Sequence, residues 1–162
     1  MTIAVTGHRP KKLWGYDIDG PRWQALQARF ESELLARGCT DAWTGMALGA
    51  DTVFARAVLA LRDKGVPIRL RCAIPCRGHS ARWLPESRRE YDRILALADE
   101  VALVSDAPYA PALMQRRNEY MVDRADLVLA LWDGASGGTG NCVQYARQKG
   151  VPVIVLDPAG VI

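Results

Sequence analysis

Apolar runs alternate with amphipathic stretches from end to end of the chain, and no linker, low-complexity tract, charge block or repeat interrupts them. The β-branched run Thr2 to Thr6 ends at Gly7, and a polar stretch containing Pro and Gly reaches Pro21. Apolar residues then recur at helical spacing at Trp23, Leu26, Phe30, Leu34 and Leu35, until Gly38 stops the helix. Asp41 to Thr44 predicts a short second strand, and Gly45 to Gly49 a loop opening a helix with Val53, Phe54, Ala57, Val58 and Leu61 on its apolar face. Gly65 and Pro67 precede a third strand, Ile68 to Ile74, followed by a loop from Pro75 to Ser80 and a helix from Trp83 to Ala98. Val101 to Val104 is the fourth strand, Leu113 to Ala125 a helix, and Leu127 to Trp132 a nearly unbroken apolar fifth strand. The segment DGASGGTG at 133–140 predicts a flexible loop, Val143 to Lys149 a helix, and Val151 to Leu156 a last buried strand.

Six strands alternating with five helices demand right-handed crossovers that place helices on both faces of the sheet. The expected architecture is a three-layer α/β/α Rossmann-like domain with a mainly parallel six-stranded sheet, spanning residues 1–162 as one unit. Composition agrees, with 49% hydrophobic residues to form a core and 24% charged residues for the surface. No window approaches the roughly 18 consecutive apolar residues of a membrane span, and no basic-then-apolar leader opens the chain, so a cytoplasmic protein with no membrane partner is expected.

The net charge of +3 and pI of about 8.8 are too mild to demand nucleic acid and suit a small anionic ligand equally well, and with no basic-aromatic stripe along the chain a nucleic-acid partner is not expected. Cys39, Cys72, Cys76 and Cys142 are too dispersed for a disulfide scaffold. Cys72, Cys76 and His79 match no zinc-site spacing, so no metal is assigned.

Ligands of parallel sheets bind beyond the C-terminal strand ends. Three glycine-bearing loops leave such ends: Gly7-His8-Arg9, Gly45 to Asp51, and Gly137-Gly138-Thr139-Gly140-Asn141. Glycine lets backbone approach an anion closely, and helix N-terminal N–H groups donate to phosphate oxygens, so a phosphate cradle is expected. None of the loops is a dinucleotide fingerprint or a P-loop, and each taken alone also reads as a tight turn.

The candidate ligand-binding residues are Gly7, His8, Arg9, Gly45, Gly49, Asp51, Arg117, Asn118, Asp133, Gly137, Gly138, Thr139, Gly140 and Asn141. Arg9 suits a bidentate phosphate contact or a surface ion pair. Of the adjacent Arg116 and Arg117, only one can face the cleft. Asn118 and Asp133 suit a ribose or a local turn, and Asp51 suits a ligand contact or a helix-dipole partner. His8 is a candidate donor to the ligand. Trp14 and Tyr16 are candidates to stack a base, Trp132 suits either role, and Trp23, Trp43 and Trp83 are expected in the core.

The strings T-G-H-R-P at 6–10, G-M-A-L-G-A-D at 45–51, M-Q-R-R-N-E-Y-M-V-D-R-A-D at 114–126 and W-D-G-A-S-G-G-T-G-N at 132–141 resemble the SLOG superfamily, in its YpsA/YspA-like branch. The resemblance covers nearly the whole chain. It implies a Rossmann-like fold, binding or sensing of a nucleotide or an NAD/ADP-ribose-like molecule, no assigned cofactor, and a homo-oligomer, a dimer first. Arg117, Gly137, Gly138 and Gly140 match the pattern of the lonely-guy phosphoribohydrolases, whereas Ser136, Asn141 and Gln144 replace its proline, threonine and glutamate. Glutamine cannot supply a carboxylate, so the enzymatic reading, a phosphoribohydrolase or N-glycosidase, would need another acid, Asp51, Asp133 or Glu119. A third reading follows the related DprA proteins, which bind single-stranded DNA.

Overall fold

In the computed structural model, which describes residues 1–161, the elements follow one another as strand and helix. They are β1 (Thr2–Gly7), α1 (Pro21–Ala36), β2 (Asp41–Thr44), α2 (Ala50–Asp63), β3 (Arg69–Ile74), α3 (Pro85–Leu97), β4 (Glu100–Leu103), α4 (Pro111–Val122), β5 (Leu127–Leu131), α5 (Gly138–Gln148) and β6 (Val153–Leu156). Single 3₁₀ turns occupy Pro10–Lys12 and Pro158–Gly160. The six strands form one sheet in the order β4-β3-β2-β1-β5-β6, and all five pairings are parallel.

Alternation along the strands divides the core between the two faces of this sheet. Ile3 and Val5 of β1 join Leu26 and Phe30 of α1, Val53 and Phe54 of α2 and Ile94 of α3 in the larger cluster. Ala4, between them, joins Val128 of β5, Met121 and Val122 of α4, and Cys142 and Ala146 of α5 on the other face. The interior strand β5, between β1 and β6, is buried at every residue, as expected for a strand covered on both sides. At the β4 edge, Arg71 donates to Asp41 at 3.0 Å and to Glu100 at 2.5 Å, tying three strands together.

The chain lays β1 to β4 in one direction, then returns past β1 to place β5 and β6 on its other side. The loops after β1 and β5 therefore diverge, leaving a crevice at the topological switch point. One expectation needs correction here. Residues 138–140 are not flexible loop but the first turn of α5, with Asn141 N–H donating to Gly137 O at 2.9 Å. Glycines lower helix propensity, yet the first turn is where a helix least depends on it, and Gly140 is required because a Cβ there would lie 2.9 Å from Ala135 O.

Gly7 marks the closest approach of α2 to β1: an added Cβ would fall 2.4 Å from Ala50 Cβ and 3.1 Å from Leu131 Cβ. Gly7→Ala is therefore expected to cost roughly 1–3 kcal/mol by overpacking, measured as a lowered urea midpoint with an unchanged slope.

Candidate functional site

At the switch point a cleft of about 300 Å³ opens between the segment after β1, the start of α2, α4 and the N-terminus of α5. Nine of the fourteen candidate residues line it: Gly7, His8, Arg9, Asp51, Arg117, Asn118, Gly137, Gly138 and Thr139. Thr6, Lys11, Lys12, Ala47 and Met114 line it as well. The two lysines were legible as part of the basic run Arg9-Pro10-Lys11-Lys12, which the 3₁₀ turn folds onto the cleft mouth. Four basic side chains thus face one carboxylate.

Arg117 is only 4% exposed, whereas the neighbouring Arg116 is exposed, since adjacent helical residues point about 100° apart. Its Nη1 donates to Gly45 O at 2.5 Å and its Nε to Asn118 Oδ1 at 2.9 Å. No hydrogen bond engages Nη2, and no carboxylate forms an ion pair with this guanidinium, among the described residues. Burial pulls its pKa down from the ordinary arginine value, and the charge of Asp51 opposes that fall. Such a cation is desolvated without a paired anion, which is costly unless a ligand supplies one.

Gly45 makes the burial feasible. A Cβ there would lie 2.7 Å from Cδ, Nε and Cζ of Arg117, so the guanidinium rests directly on the glycine backbone. The residue that follows, Met46, is the one non-glycine with positive φ among the described residues, at 58° and fully buried. Asp51, in the first turn of α2, accepts a hydrogen bond from Ala47 N–H at 3.2 Å through Oδ2. Burial pushes its carboxyl above the usual range, while Arg117 and Arg9 pull it back.

His8 is buried, and its Nε2 lies 2.9 Å from Asp133 Oδ1 and 3.3 Å from Asp133 N. The N–H of Ala135 and then His8 hold the Asp133 carboxyl below the ordinary aspartate range. Asp133 therefore orients His8 rather than lining the cleft itself.

The remaining candidates lie elsewhere. Gly49, at φ 93°, packs its Cα against His8 O and borders a larger cavity of about 710 Å³ flanked by Tyr16, Leu84 and Arg56. Gly140, Asn141 and Gln144 border a third hollow on the outer side of α5. Glu119 accepts from Gln115 on α4. Trp14 packs edge-on against Trp23 at 4.9 Å, and Trp132 Nε1 donates to Ala135 O at 2.8 Å, so both are structural, whereas Tyr16 is exposed. Among the described residues no group of three or more His, Cys, Asp or Glu, Cys72, Cys76 and His79 included, is arranged to hold a metal. His79 instead packs against Trp83 and Tyr91, and burial lowers its pKa to about 3.

The sequence signature of the YspA SLOG family, YpsA, matches residues 3–154. The chain belongs to this family. Among its relatives, the SPbeta prophage-derived protein YoqJ of Bacillus subtilis is 34% identical over 116 residues, covering 65% of this chain and 68% of YoqJ. A UPF0398 protein of Bacillus pumilus is 30% identical over 141 residues, covering 85% of this chain and 76% of that protein. UPF0398 protein YpsA of B. subtilis is 22% identical over 163 aligned positions, covering 95% and 91%.

The fold is shared with DNA processing protein A. The Helicobacter pylori protein, solved for its single-stranded DNA binding mode, matches with a TM-score of 0.63 at 16% identity over 97% of this chain. The Streptococcus pneumoniae protein matches with a TM-score of 0.62 at 18% identity over 96% of it. The chain spans 65% and 50% of those two proteins. This likeness corrects the expectation against nucleic acid. Net charge averages over the whole surface, whereas a phosphate responds to the local field, and this SLOG protein gathers Arg9, Lys11, Lys12 and Arg117 at one cleft. No described helix is long and apolar enough to cross a membrane.

Two outcomes test the geometry. Gly45→Ala is expected to displace the Arg117 side chain and cost roughly 1–3 kcal/mol, read by urea denaturation. In carboxyl-resolved NMR, Asp133 is expected to titrate below the ordinary value of about 3.9. His8→Phe should move that midpoint upward yet leave it depressed, because the Ala135 N–H, the larger cause, remains.

Proposed function

We propose that the cleft binds a phosphorylated, nucleotide-derived small molecule and that the protein acts as its binder or sensor. The observation that carries this reading is Arg117, a buried guanidinium with no carboxylate ion pair among the described residues, lining the same cleft as Gly137, Gly138 and Thr139. The N-terminus of α5 adds unpaired N–H groups and the positive end of a helix dipole. Gly138 has open space where a side chain would stand, so a ligand oxygen can approach the backbone there. The cleft volume, at the lower end of small-ligand sites, suits a phosphate with its adjoining sugar better than a whole dinucleotide.

A second reading is single-stranded DNA binding, favoured by the fold shared with DNA processing protein A and by the basic run at the cleft mouth. Glycosidic hydrolysis has less behind it. Gln144, at the place of the phosphoribohydrolase glutamate, is exposed and borders the hollow outside α5 rather than the cleft.

Calorimetric titration with nucleoside monophosphates, ADP-ribose and NAD separates these readings when paired with fluorescence anisotropy of a labelled oligonucleotide. For the ligand that binds, Arg117→Ala should lose a charge-assisted contact of roughly 1.5–3 kcal/mol, a tenfold or greater weakening. Arg116→Ala should change affinity little, because a solvated arginine offers only screened attraction. An equal loss for Arg116 would show that the cleft is not the site. Binding of the oligonucleotide alone, with a steep salt dependence, would favour the second reading.

A further inference from the structure

Asp51 is an unexpected neighbour for an anion. It is 5% exposed, lines the same cleft as Arg117, and uses one carboxylate oxygen to hold Ala47 N–H. Its other oxygen receives no hydrogen bond among the described residues. A carboxylate only accepts hydrogen bonds, so an incoming oxyanion meets it acceptor to acceptor, and two such groups coexist only if they share a proton.

We propose that Asp51 makes the cleft selective for phosphate groups that carry a proton, hydrogen phosphate and phosphate monoesters, over sulfate and over phosphodiesters. The proposal rests on the anion-binding reading of the cleft given above. A phosphate monoester loses its second proton near pH 6, so at that pH about half of it still carries the P–O–H that donates to Asp51, and at pH 7 about a tenth does. Sulfate and a phosphodiester hold no such proton and can be accommodated only if Asp51 itself takes one up. The charges of Arg117, on α4, and of Arg9, in the segment after β1, act on Asp51 through space without an ion pair among the described residues. His8, Lys11 and Lys12 line the cleft from that same segment. Burial, the larger influence, favours the neutral carboxyl, and the charges of Arg117 and Arg9 and the Ala47 N–H favour the ionised one. Cys142 of α5, whose thiol is pushed up to about 11 by burial, stays neutral and adds no charge. The carboxylate thereby steers the cleft toward terminal phosphates, as on a free nucleotide or a phosphorylated chain end, and away from the interior of a nucleic-acid backbone.

Inorganic phosphate and sulfate, which match in shape, and methyl phosphate with dimethyl phosphate, are titrated calorimetrically into the full chain and into Asp51→Asn at about pH 6, where about half of the monoester still carries its proton, at one ionic strength. Asparagine keeps an oxygen for Ala47 N–H and turns a donor toward the cleft. In the wild type, phosphate should bind about tenfold or more tightly than sulfate, and methyl phosphate likewise over dimethyl phosphate. In Asp51→Asn the ratios should collapse to within about threefold, chiefly because sulfate binds better. Equal wild-type affinities, or ratios kept in the variant, overturn the selectivity while leaving the anion site intact. If none of the four binds, the anion reading itself fails and this inference with it. Should the variant not fold, the wild type decides: sulfate affinity must fall more steeply than phosphate affinity as pH rises and Asp51 ionises, and parallel profiles overturn the proposal.

Discussion

The guanidinium of Arg117, buried at the C-terminal edge of the sheet with no ion pair to a carboxylate among the described residues, is the constraint around which the rest of the site is arranged. A desolvated cation must find its hydrogen bonds in the protein, and here Gly45 O and Asn118 Oδ1 supply them. That in turn forbids a side chain at residue 45 and holds the loop after β2 against α4. Asp51 balances part of the charge across the cleft without closing on it, so the positive potential survives where a ligand would enter.

The fold delivers these groups to one place through the reversal of strand order beside β1. Because β2 to β4 extend to one side and β5 and β6 to the other, the loops after β1 and β5 part, and the N-terminus of α5 points into the gap. Gly7 and Gly49 serve this arrangement by letting α2 approach the backbone of β1 and His8, rather than by offering N–H groups to the cleft. The fold shared at low identity with DNA processing protein A shows how widely the scaffold is used, and fold alone does not choose between a nucleotide and a DNA strand. That choice belongs to the side chains at the cleft.

Much of this was legible along the chain. Strand and helix order, the all-apolar β5 and the three-layer class follow from hydrophobic periodicity, which is a local property of consecutive residues. The identification of Arg117 over Arg116 came from the family pattern, and helix geometry required only that one of them turn inward. The start of α5 is not legible in the sequence because glycine carries a poor helix propensity, and nothing local to Gly140 reveals that Ala135 O leaves no room there for a side chain.

The sequence by itself determined the element types and the residues able to meet a phosphate at the strand ends, since side-chain chemistry and periodicity are written residue by residue. Only the tertiary structure decided which of those residues share a cavity. It set Asp51 and Arg117 across one cleft, turned Asn141 and Gly140 to another hollow, gave Asp133 to His8, and made Gly45 a seat for Arg117, seventy-two positions away. It also concentrated a mild net charge into one basic cleft. These outcomes depend on strand order and on contacts between distant segments, and neither leaves a signature in the spacing of neighbouring residues.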